Sequence, residues 1–395
     1  MQDPEQTGQI SPIGRLVLLM GSNLVLMAGS SLSPGLPAIR ETFQHVPGIF
    51  FWTSMVLTLP ALIVVLSGPV TGIMVDRFGR KPILIGSLII GGLGGGLAVV
   101  MRSLVGVLAS RALVGLAIAG TMTATNSLVA DYFTGEDRAK FMGQVYAFTG
   151  IGGVVFLSLG GFLTNIDWHY SFLSYLPALL IAPLAAITIH EPEEVVEHEA
   201  EALTTKLKFK PTSIYIFIAI MLNQLAFMAV PVFIATYLHD LVGAGSIGVG
   251  LISAFSGFFS FIGGWVFGRI NQRFNFRQIN TISFMLYSLG FLALGLAQNW
   301  TLIVIGEMLV GFGMGVIPSN LSTWLAHEAR PLVRGRANGI YVTMMFLGNF
   351  ASSVVFTPLA QAAGMPLVYY LSATIVALTS VAGVVLFRLL AKADA

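Results

Sequence analysis

The sequence predicts an all-α membrane protein in which twelve transmembrane helices form two pseudo-symmetric six-helix bundles. Of its 395 residues, 55% are hydrophobic and 10% are charged, and the mean hydropathy is +0.84. Soluble domains carry about 25% charged residues, so most of this chain must be solvated by lipid or by itself. Two further observations support the prediction: a series of twelve apolar runs, and a repeat at an offset of 196 positions.

The apolar runs follow one another along the whole chain. Each reaches the roughly 20 residues that a helix needs to cross the hydrocarbon core of a bilayer. The first run is too long for the apolar core of a signal peptide, so we interpret it as a retained helix. Proline within several runs is tolerated because neighbouring helices satisfy the freed backbone groups. The predicted spans, numbered 1 to 12, are 13–36, 50–73, 82–101, 104–130, 139–163, 170–189, 213–238, 246–268, 278–297, 301–326, 336–362 and 367–390.

Basic residues are unequally shared between alternate connections. If the N-terminus is cytoplasmic, 17 of the 20 cations lie on the cytoplasmic side, Arg40 and Arg102 lie outside, and Arg111 lies within span 4. Lysine and arginine favour cytoplasmic loops. We therefore expect a multi-pass protein of the bacterial inner (plasma) membrane with both termini cytoplasmic.

One long polar segment, residues 190–211, separates span 6 from span 7. It contains six glutamates followed by three lysines. It divides the chain into an N-terminal bundle at 1–189, a cytoplasmic linker at 190–211 and a C-terminal bundle at 212–395. Such a charge run is typical of a solvated linker, and a binding role for its acidic half is the alternative.

The repeat is clearest where spans 2 and 8 end. In each copy two glycines four positions apart precede an Arg-Phe pair, and a polar turn follows. Small residues at matched positions favour close helix packing in lipid, so the repeat predicts two parallel six-helix halves. Other pairs at the same offset are Asp76 and Gln272, Gly79 and Asn275, Arg111 and Glu307, Gly115 and Gly311, Arg138 and Arg334, Gly143 and Gly339, and Gly152 and Gly348.

The first copy reads Gly72-x-x-x-Asp76-Arg77-x-Gly79-Arg80-Lys81. It resembles the signature loop between helices 2 and 3 of the major facilitator superfamily. Arg111-x-x-x-Gly115 resembles that superfamily's helix 4 motif, and Pro34-x-x-Pro37-x-Ile39 is similar to a pattern of its bacterial drug and solute exporters. The resemblance covers the whole chain, and it implies transport by alternating access with spans 1, 4, 7 and 10 lining a central cavity.

Two departures weaken the likeness to exporters of the antiporter type. Span 5 has Phe156-Leu157 at the position where those exporters typically have a Gly-Pro pair. The helix of those exporters is thought to bend at that pair, so span 5 lacks the expected hinge. Span 1 has no acidic residue, although several multidrug exporters carry one there.

Two charged residues lie well inside predicted spans: Glu307 among the acids and Arg111 among the cations. An ionisable group in a membrane span is costly and is therefore a candidate functional residue. The resemblance implies that the two could face one another across the cavity. Three roles are open: a structural salt bridge, a proton-coupling pair, and a site where Arg111 holds a carboxylate or phosphate of the substrate.

The signature stretch suggests a conformational latch. Its contacts would hold the two halves closed on the cytoplasmic side and break when the cavity opens, while the alternative is an Asp76 that only aids topology. The predicted latch residues are Asp76, Arg77, Gly79, Arg80 and Arg138.

Polar amides on the predicted cavity spans are candidates for the substrate cavity. The alternative is that they join helices, which is the commoner role for one such residue. The candidates are Asn23, Asn126, Asn223, Gln224 and Asn320.

No H-E-x-x-H, G-x-S-x-G or P-loop pattern occurs, cysteine is absent, and all six histidines fall in or beside loops. We therefore expect no enzyme, no cofactor and no metal.

The predicted function is a secondary active transporter that exports a small hydrophobic solute or drug by proton antiport. Proton-coupled uptake (symport) of a small organic anion and lipid flipping are the alternatives. The expected partners are a small-molecule substrate, protons and the lipid bilayer, with no nucleic acid, and the protein is expected to be a monomer.

Overall fold

The computed structural model describes residues 10–21, 30–133, 135–191, 209–328 and 334–393. These residues are helical apart from short connections, and no strand occurs among them, so the all-α prediction is confirmed. Their α-helices are α1 (Pro12–Gly21), α2 (Leu36–Thr42), α3 (Ile49–Phe78), α4 (Arg80–Gly96), α5 (Leu104–Tyr132), α6 (Gly135–Ile166), α7 (Pro177–Thr188), α8 (Pro211–Val242), α9 (Ser246–Arg273), α10 (Phe276–Gly295), α11 (Trp300–Glu328), α12 (Arg334–Ala363) and α13 (Met365–Ala393).

Ten helices in the described part of the chain are long and apolar enough to cross a membrane. Two of them include a 3₁₀ segment: Leu97–Val100 extends α4, and Trp168–Tyr175 precedes α7. Pro12–Gly21 and Ile151–Ile166 are shorter apolar helices that overlap predicted spans 1 and 5. The helices coincide with the predicted spans because each span is set by the length of apolar chain that a bilayer requires.

The chain forms two compact units. The first comprises Met1–Val46 and Met55–Glu194, and the second comprises Pro47–Ser54 and Val195–Ala395. In the first unit α4 packs against α5 and α7. In the second, α11 packs against α9 and α10, and α8 packs against α12. Residues 192–208 of the predicted linker lie outside the described residues.

The 196-residue repeat is visible in the packing inside each unit. In the first unit, a Cβ atom added to Gly115 of α5 would lie 2.8 Å from the carbonyl oxygen of Pro60 in α3. In the second, a Cβ atom at Gly311 of α11 would overlap the carbonyl oxygen of Ser256 in α9. Pro60 and Ser256 are also 196 positions apart, so both sides of each contact are repeat equivalents. Both helix pairs therefore depend on a glycine for their close approach.

The predicted polar turn after span 2 is shorter than expected. Helix α3 continues to Phe78 and α4 begins at Arg80, so Asp76 lies in the last helical turn and only Gly79 separates the two helices. Gly79 has a φ of +90°, a backbone conformation that residues with a Cβ atom rarely adopt. One residue therefore separates the two helices where the prediction assigned several.

The N-terminus of α4 is capped by a distant residue. The Glu191 carboxylate accepts hydrogen bonds from the backbone N–H groups of Arg80 (2.6 Å) and Lys81 (2.8 Å). A negative charge at a helix N-terminus is favourable because the first N–H groups have no partner within the helix. Glu191 is one of the six glutamates of the predicted linker, so at least this part of the acidic segment binds its own bundle.

The second copy of the repeat caps its helix locally. Asn275, the counterpart of Gly79, accepts a hydrogen bond from the N–H of Gln278 (2.9 Å), and the Gln278 side chain accepts one from the N–H of Asn275 (3.2 Å). This reciprocal capping box needs only residues of the turn and the first helical turn. The difference between Gly79 and Asn275 in the sequence is thus a difference between a remote cap and a local one.

Replacing Gly79 with Ala should lower the free energy of unfolding by about 2–3 kcal/mol. The left-handed backbone costs a residue with a Cβ atom roughly 1–2 kcal/mol, and loss of a helix cap typically costs ~1 kcal/mol. The added Cβ would lie 2.9 Å from the Glu191 carboxyl group and displace it. Thermal unfolding of the purified protein measures the loss.

Gly86→Ala within α4 is the matched control, since a Cβ atom at Gly86 has no neighbour within 4 Å. Because Gly79→Ala already displaces Glu191, combining it with Glu191→Ala should cost less than the sum of the single losses. Additive losses would show that the cap and the glycine are independent.

Candidate functional site

The candidate latch residues are only partly brought together. Arg80 forms an ion pair with Asp131 at the end of α5, with 3.3 Å between Nε and Oδ2. Asp76 and Arg77 are exposed, and the Arg77 guanidinium lies 5.5 Å from the centre of the Phe78 ring. The side chain of Arg138 lies outside the described residues. Within the first unit, the geometry thus supports a cluster built on Gly79 and Arg80.

Two acidic members of this cluster were missed in the sequence. Asp131 is the penultimate residue of α5, and Glu191 follows α7 after a two-residue connection. Next to Glu191, His190 is held by Tyr132: its backbone N–H donates to the Tyr132 hydroxyl (3.0 Å), and that hydroxyl also bonds to the His190 carbonyl. The sequence showed only that Asp131 and Glu191 lie on the predicted cytoplasmic side, and several other acidic residues lie there too. We call Gly79, Arg80, Asp131 and Glu191 the α4 entry cluster.

Arg111 is fully buried in the first unit. Its guanidinium donates to the hydroxyl of Tyr175 (2.8 Å) and to that of Ser110 (2.9 Å). It also lies 4.8 Å from the ring centre of Phe172 and 4.7 Å from that of Tyr175. Aromatic faces attract cations, so the two rings offset part of the cost of burial. Nε has no hydrogen-bond partner, and no carboxylate of the described first unit pairs with the guanidinium.

Glu307 is fully buried in the second unit, two helical turns after the start of α11. The Ser256 hydroxyl interacts with its carboxyl group, but neither carboxyl oxygen has a partner within ordinary hydrogen-bond distance and angle limits. The hydroxyls of Tyr287 and Tyr369 are near enough to interact electrostatically with it, and neither of them has a hydrogen-bond partner. Unsatisfied buried polar groups are costly, so these groups are candidates for binding a proton or a ligand.

A pocket of about 200 Å³ adjoins the Glu307 carboxyl group. Its other lining residues are apolar: Leu251, Ile252 and Phe255 of α9, and Val304 of α11. Glu307 is therefore both the buried acid that the sequence identified and the polar wall of a cavity that it did not reveal.

The five candidate cavity amides differ in their surroundings. Asn126 is exposed on α5, whereas Asn23 lies outside the described residues. The other three are buried in the second unit: Asn223 donates to Gln224 (3.3 Å), and Asn320 donates to the Phe276 carbonyl (3.1 Å). Gln224 is the neighbour of Asn223 on α8, but the Asn223 amide also donates to the Met314 sulfur of α11 (3.8 Å). The contacts with Met314 and Phe276 therefore join helices, although Asn223 and Asn320 each retain an unpaired carbonyl oxygen.

A family model described as Major Facilitator Superfamily matches residues 18–275 and 212–394, which together cover nearly the whole chain. The chain belongs to the Major Facilitator Superfamily. It is thus a multi-pass membrane transporter of small molecules, and the resemblance found in the signature stretch is confirmed.

Superfamily members with named functions are similar over different lengths. The chain is 25% identical over 379 residues to the bacillibactin exporter of Bacillus subtilis (strain 168), covering 91% of this chain and 92% of the exporter. It is 33% identical over 164 residues to the class C tetracycline resistance protein of Escherichia coli, covering 40% of each chain. Sequence similarity to exporters therefore extends over almost the full length.

Solved structures of the superfamily share the fold. A crystal structure of a D-xylose–proton symporter matches with a TM-score of 0.78 at 15% identity, covering 93% of this chain and 96% of the symporter. This likeness supports the predicted twelve-helix fold of the superfamily. At such low identity it concerns the fold alone.

Proposed function

We propose that this superfamily member exports a small hydrophobic solute or drug by proton antiport, working as a monomer by alternating access. We place it in a bacterial inner membrane with both termini cytoplasmic, and with bundles at 1–189 and 212–395 joined by a linker at 190–211. The observation that carries the proposal is Glu307, a fully buried carboxyl group at the wall of an apolar pocket, with which no basic side chain of the described second unit pairs.

The buried carboxyl group gives a physical basis for coupling. An ionised carboxylate without a partner is expensive in a low-dielectric interior, so the group must be neutral or paired. A proton and a substrate can each meet that need, and binding of one then favours release of the other. In each cycle Glu307 would take a proton from one side of the membrane and release it on the other.

Similarity to exporters supports the outward direction. The full-length likeness to the bacillibactin exporter and the local likeness to a tetracycline resistance protein both favour efflux. Phe156-Leu157 in span 5 remains a departure from the antiporter pattern.

Proton-coupled uptake of a small organic anion is the second candidate, and Arg111 favours it. Its guanidinium is buried without a carboxylate partner in the described first unit, and Nε retains a free donor. A planar guanidinium binds carboxylates and phosphates well. Against this candidate, Tyr175 and Ser110 already use two of its other donor groups.

A panel of solutes applied to everted, energised membrane vesicles tests the proposal. The vesicle lumen is acid, so an antiporter should release protons from it when its solute is added. We expect the lumen to become more alkaline on addition of drug-like apolar solutes, and vesicles from cells lacking the protein provide the baseline. A response confined to organic anions in right-side-out vesicles would favour uptake instead.

A further inference from the structure

Glu307 belongs to the helix face that packs against α9. Residues four apart share a helix face, so Glu307, Gly311 and Gly315 form one stripe along α11. Cβ atoms at Gly311 and Gly315 would overlap the carbonyl oxygens of Ser256 and Ser260 in α9, so the helices touch at both glycines. At Glu307 the stripe continues with a long side chain, and the pocket adjoins it.

The pocket combines an apolar wall with one acidic group. Leu251, Ile252, Phe255 and Val304 supply the wall, and the Glu307 carboxyl group supplies the polar side. Around the acid, α10 contributes the Tyr287 hydroxyl and α13 the Tyr369 hydroxyl, while α9 contributes the Ser256 hydroxyl. No basic side chain of the described second unit pairs with Glu307.

These surroundings distinguish between classes of ligand. An anion would be repelled by an ionised Glu307, and a neutral solute would leave that charge unpaired in an apolar site. A cation with an apolar body meets both requirements, since its charge pairs with the carboxylate and its body fills the pocket. The Phe255 ring adds a surface that attracts cations.

We propose that the pocket between α9 and α11 is a binding subsite for a small lipophilic cation, with Glu307 as its counter-ion and Leu251, Ile252, Phe255 and Val304 as its apolar wall. This rests on the proposed function, which it deepens by naming the substrate class. A volume of about 200 Å³ accommodates a single aromatic ring with a quaternary ammonium head, and an entire polycyclic drug would extend beyond it.

Equilibrium dialysis of the purified, detergent-solubilised full-length protein with radiolabelled benzyltrimethylammonium tests the subsite. Unlabelled benzyltrimethylammonium should displace the label, whereas benzylsulfonate, an anion of similar size, should not. Glu307→Gln should weaken binding by about tenfold or more, because it removes the charge at nearly constant volume. Glu328→Gln is the matched control on the same helix, since Glu328 pairs with Lys210 at 3.0 Å, far along the helix from the pocket. It should bind the cation as the parent does.

Val304→Phe separates the pocket from the charge. Val304 is half-buried at the pocket wall, so a larger side chain there should occupy the cavity and abolish binding while Glu307 stays in place. Melting temperatures of all variants identify any that misfold. The proposal is overturned if benzylsulfonate competes equally, or if a folded Glu307→Gln or Val304→Phe protein binds the cation like the parent.

The same variants separate this inference from the proposed function. Loss of proton-coupled transport in Glu307→Gln with unchanged binding of the cation would overturn the subsite and leave antiport standing. Suppose instead that Glu307→Gln loses cation binding, while the parent protein moves no protons on addition of any solute. That result would support the subsite and overturn antiport.

Discussion

Glu307→Gln should reduce proton-driven transport by on the order of 100-fold or more, because glutamine keeps the shape of the side chain but cannot carry a proton. Exchange of solute across the membrane, which needs no net proton movement, should persist when the solute is saturating on both sides. Initial rates of both processes in reconstituted vesicles, with and without an imposed pH gradient, provide the measurement. The expected signature is a loss of the pH-driven component with retention of exchange.

Glu328→Gln is again the control for this experiment. It removes an acid from the same helix, and that acid already has a partner in Lys210. It should therefore transport at close to the parent rate. Proton-driven transport by Glu307→Gln at the parent rate would rule out a coupling role for this carboxyl group.

A double variant of the buried cation, Arg111→Met with Tyr175→Phe, should fold about as stably as the parent and lose transport. Removing the guanidinium gives up two charged hydrogen bonds, each worth roughly 1.5–3 kcal/mol, and its ring contacts, but it also removes a desolvation penalty of several kcal/mol. These terms nearly cancel. Arg111→Met alone also removes the charged hydrogen bond that the buried Tyr175 hydroxyl accepts, which costs about 1–3 kcal/mol, and Tyr175→Phe removes that cost.

We expect the double variant to recover the stability of the parent but not its transport activity. Melting temperatures should fall by several degrees in Arg111→Met and return towards the parent value in the double variant, since 1 kcal/mol corresponds to roughly 2–4 °C for a unit of this size. Transport should stay about 100-fold below the parent in both variants, as expected for a buried cation that is functional. Recovery of transport together with stability would instead assign Arg111 a purely structural role.

The sequence was most informative where the bilayer constrains it. Span length follows from membrane thickness, and so the helices could be placed from hydropathy alone. The repeat was equally readable, because close helix approach requires a small residue at fixed positions, as Gly115 and Gly311 show. Glu307 and Arg111 could be identified because charge is so rare in apolar chain.

The sequence was least informative about partners that are distant in the chain. Glu191 binds the backbone 110 and 111 positions away, and no local pattern distinguishes it from the five other glutamates of the linker. The contacts of Asn320 with the Phe276 carbonyl and of Asn223 with the Met314 sulfur likewise depend on which helix lies opposite, which only packing decides. The pocket beside Glu307 arises from residues of two helices and has no signature in either one.

The remote cap on α4 has a practical consequence for dividing the transporter into separately expressed halves. A first fragment that stops at residue 189, the predicted bundle boundary, would lack the carboxylate that completes the start of α4, and His190, whose backbone bonds to Tyr132. The second fragment loses no such cap, since Asn275 and Gln278, which cap α10, both lie within it. The chain should therefore be divided after Glu191, so that the first fragment keeps both His190, which bonds to Tyr132, and Glu191, which caps α4.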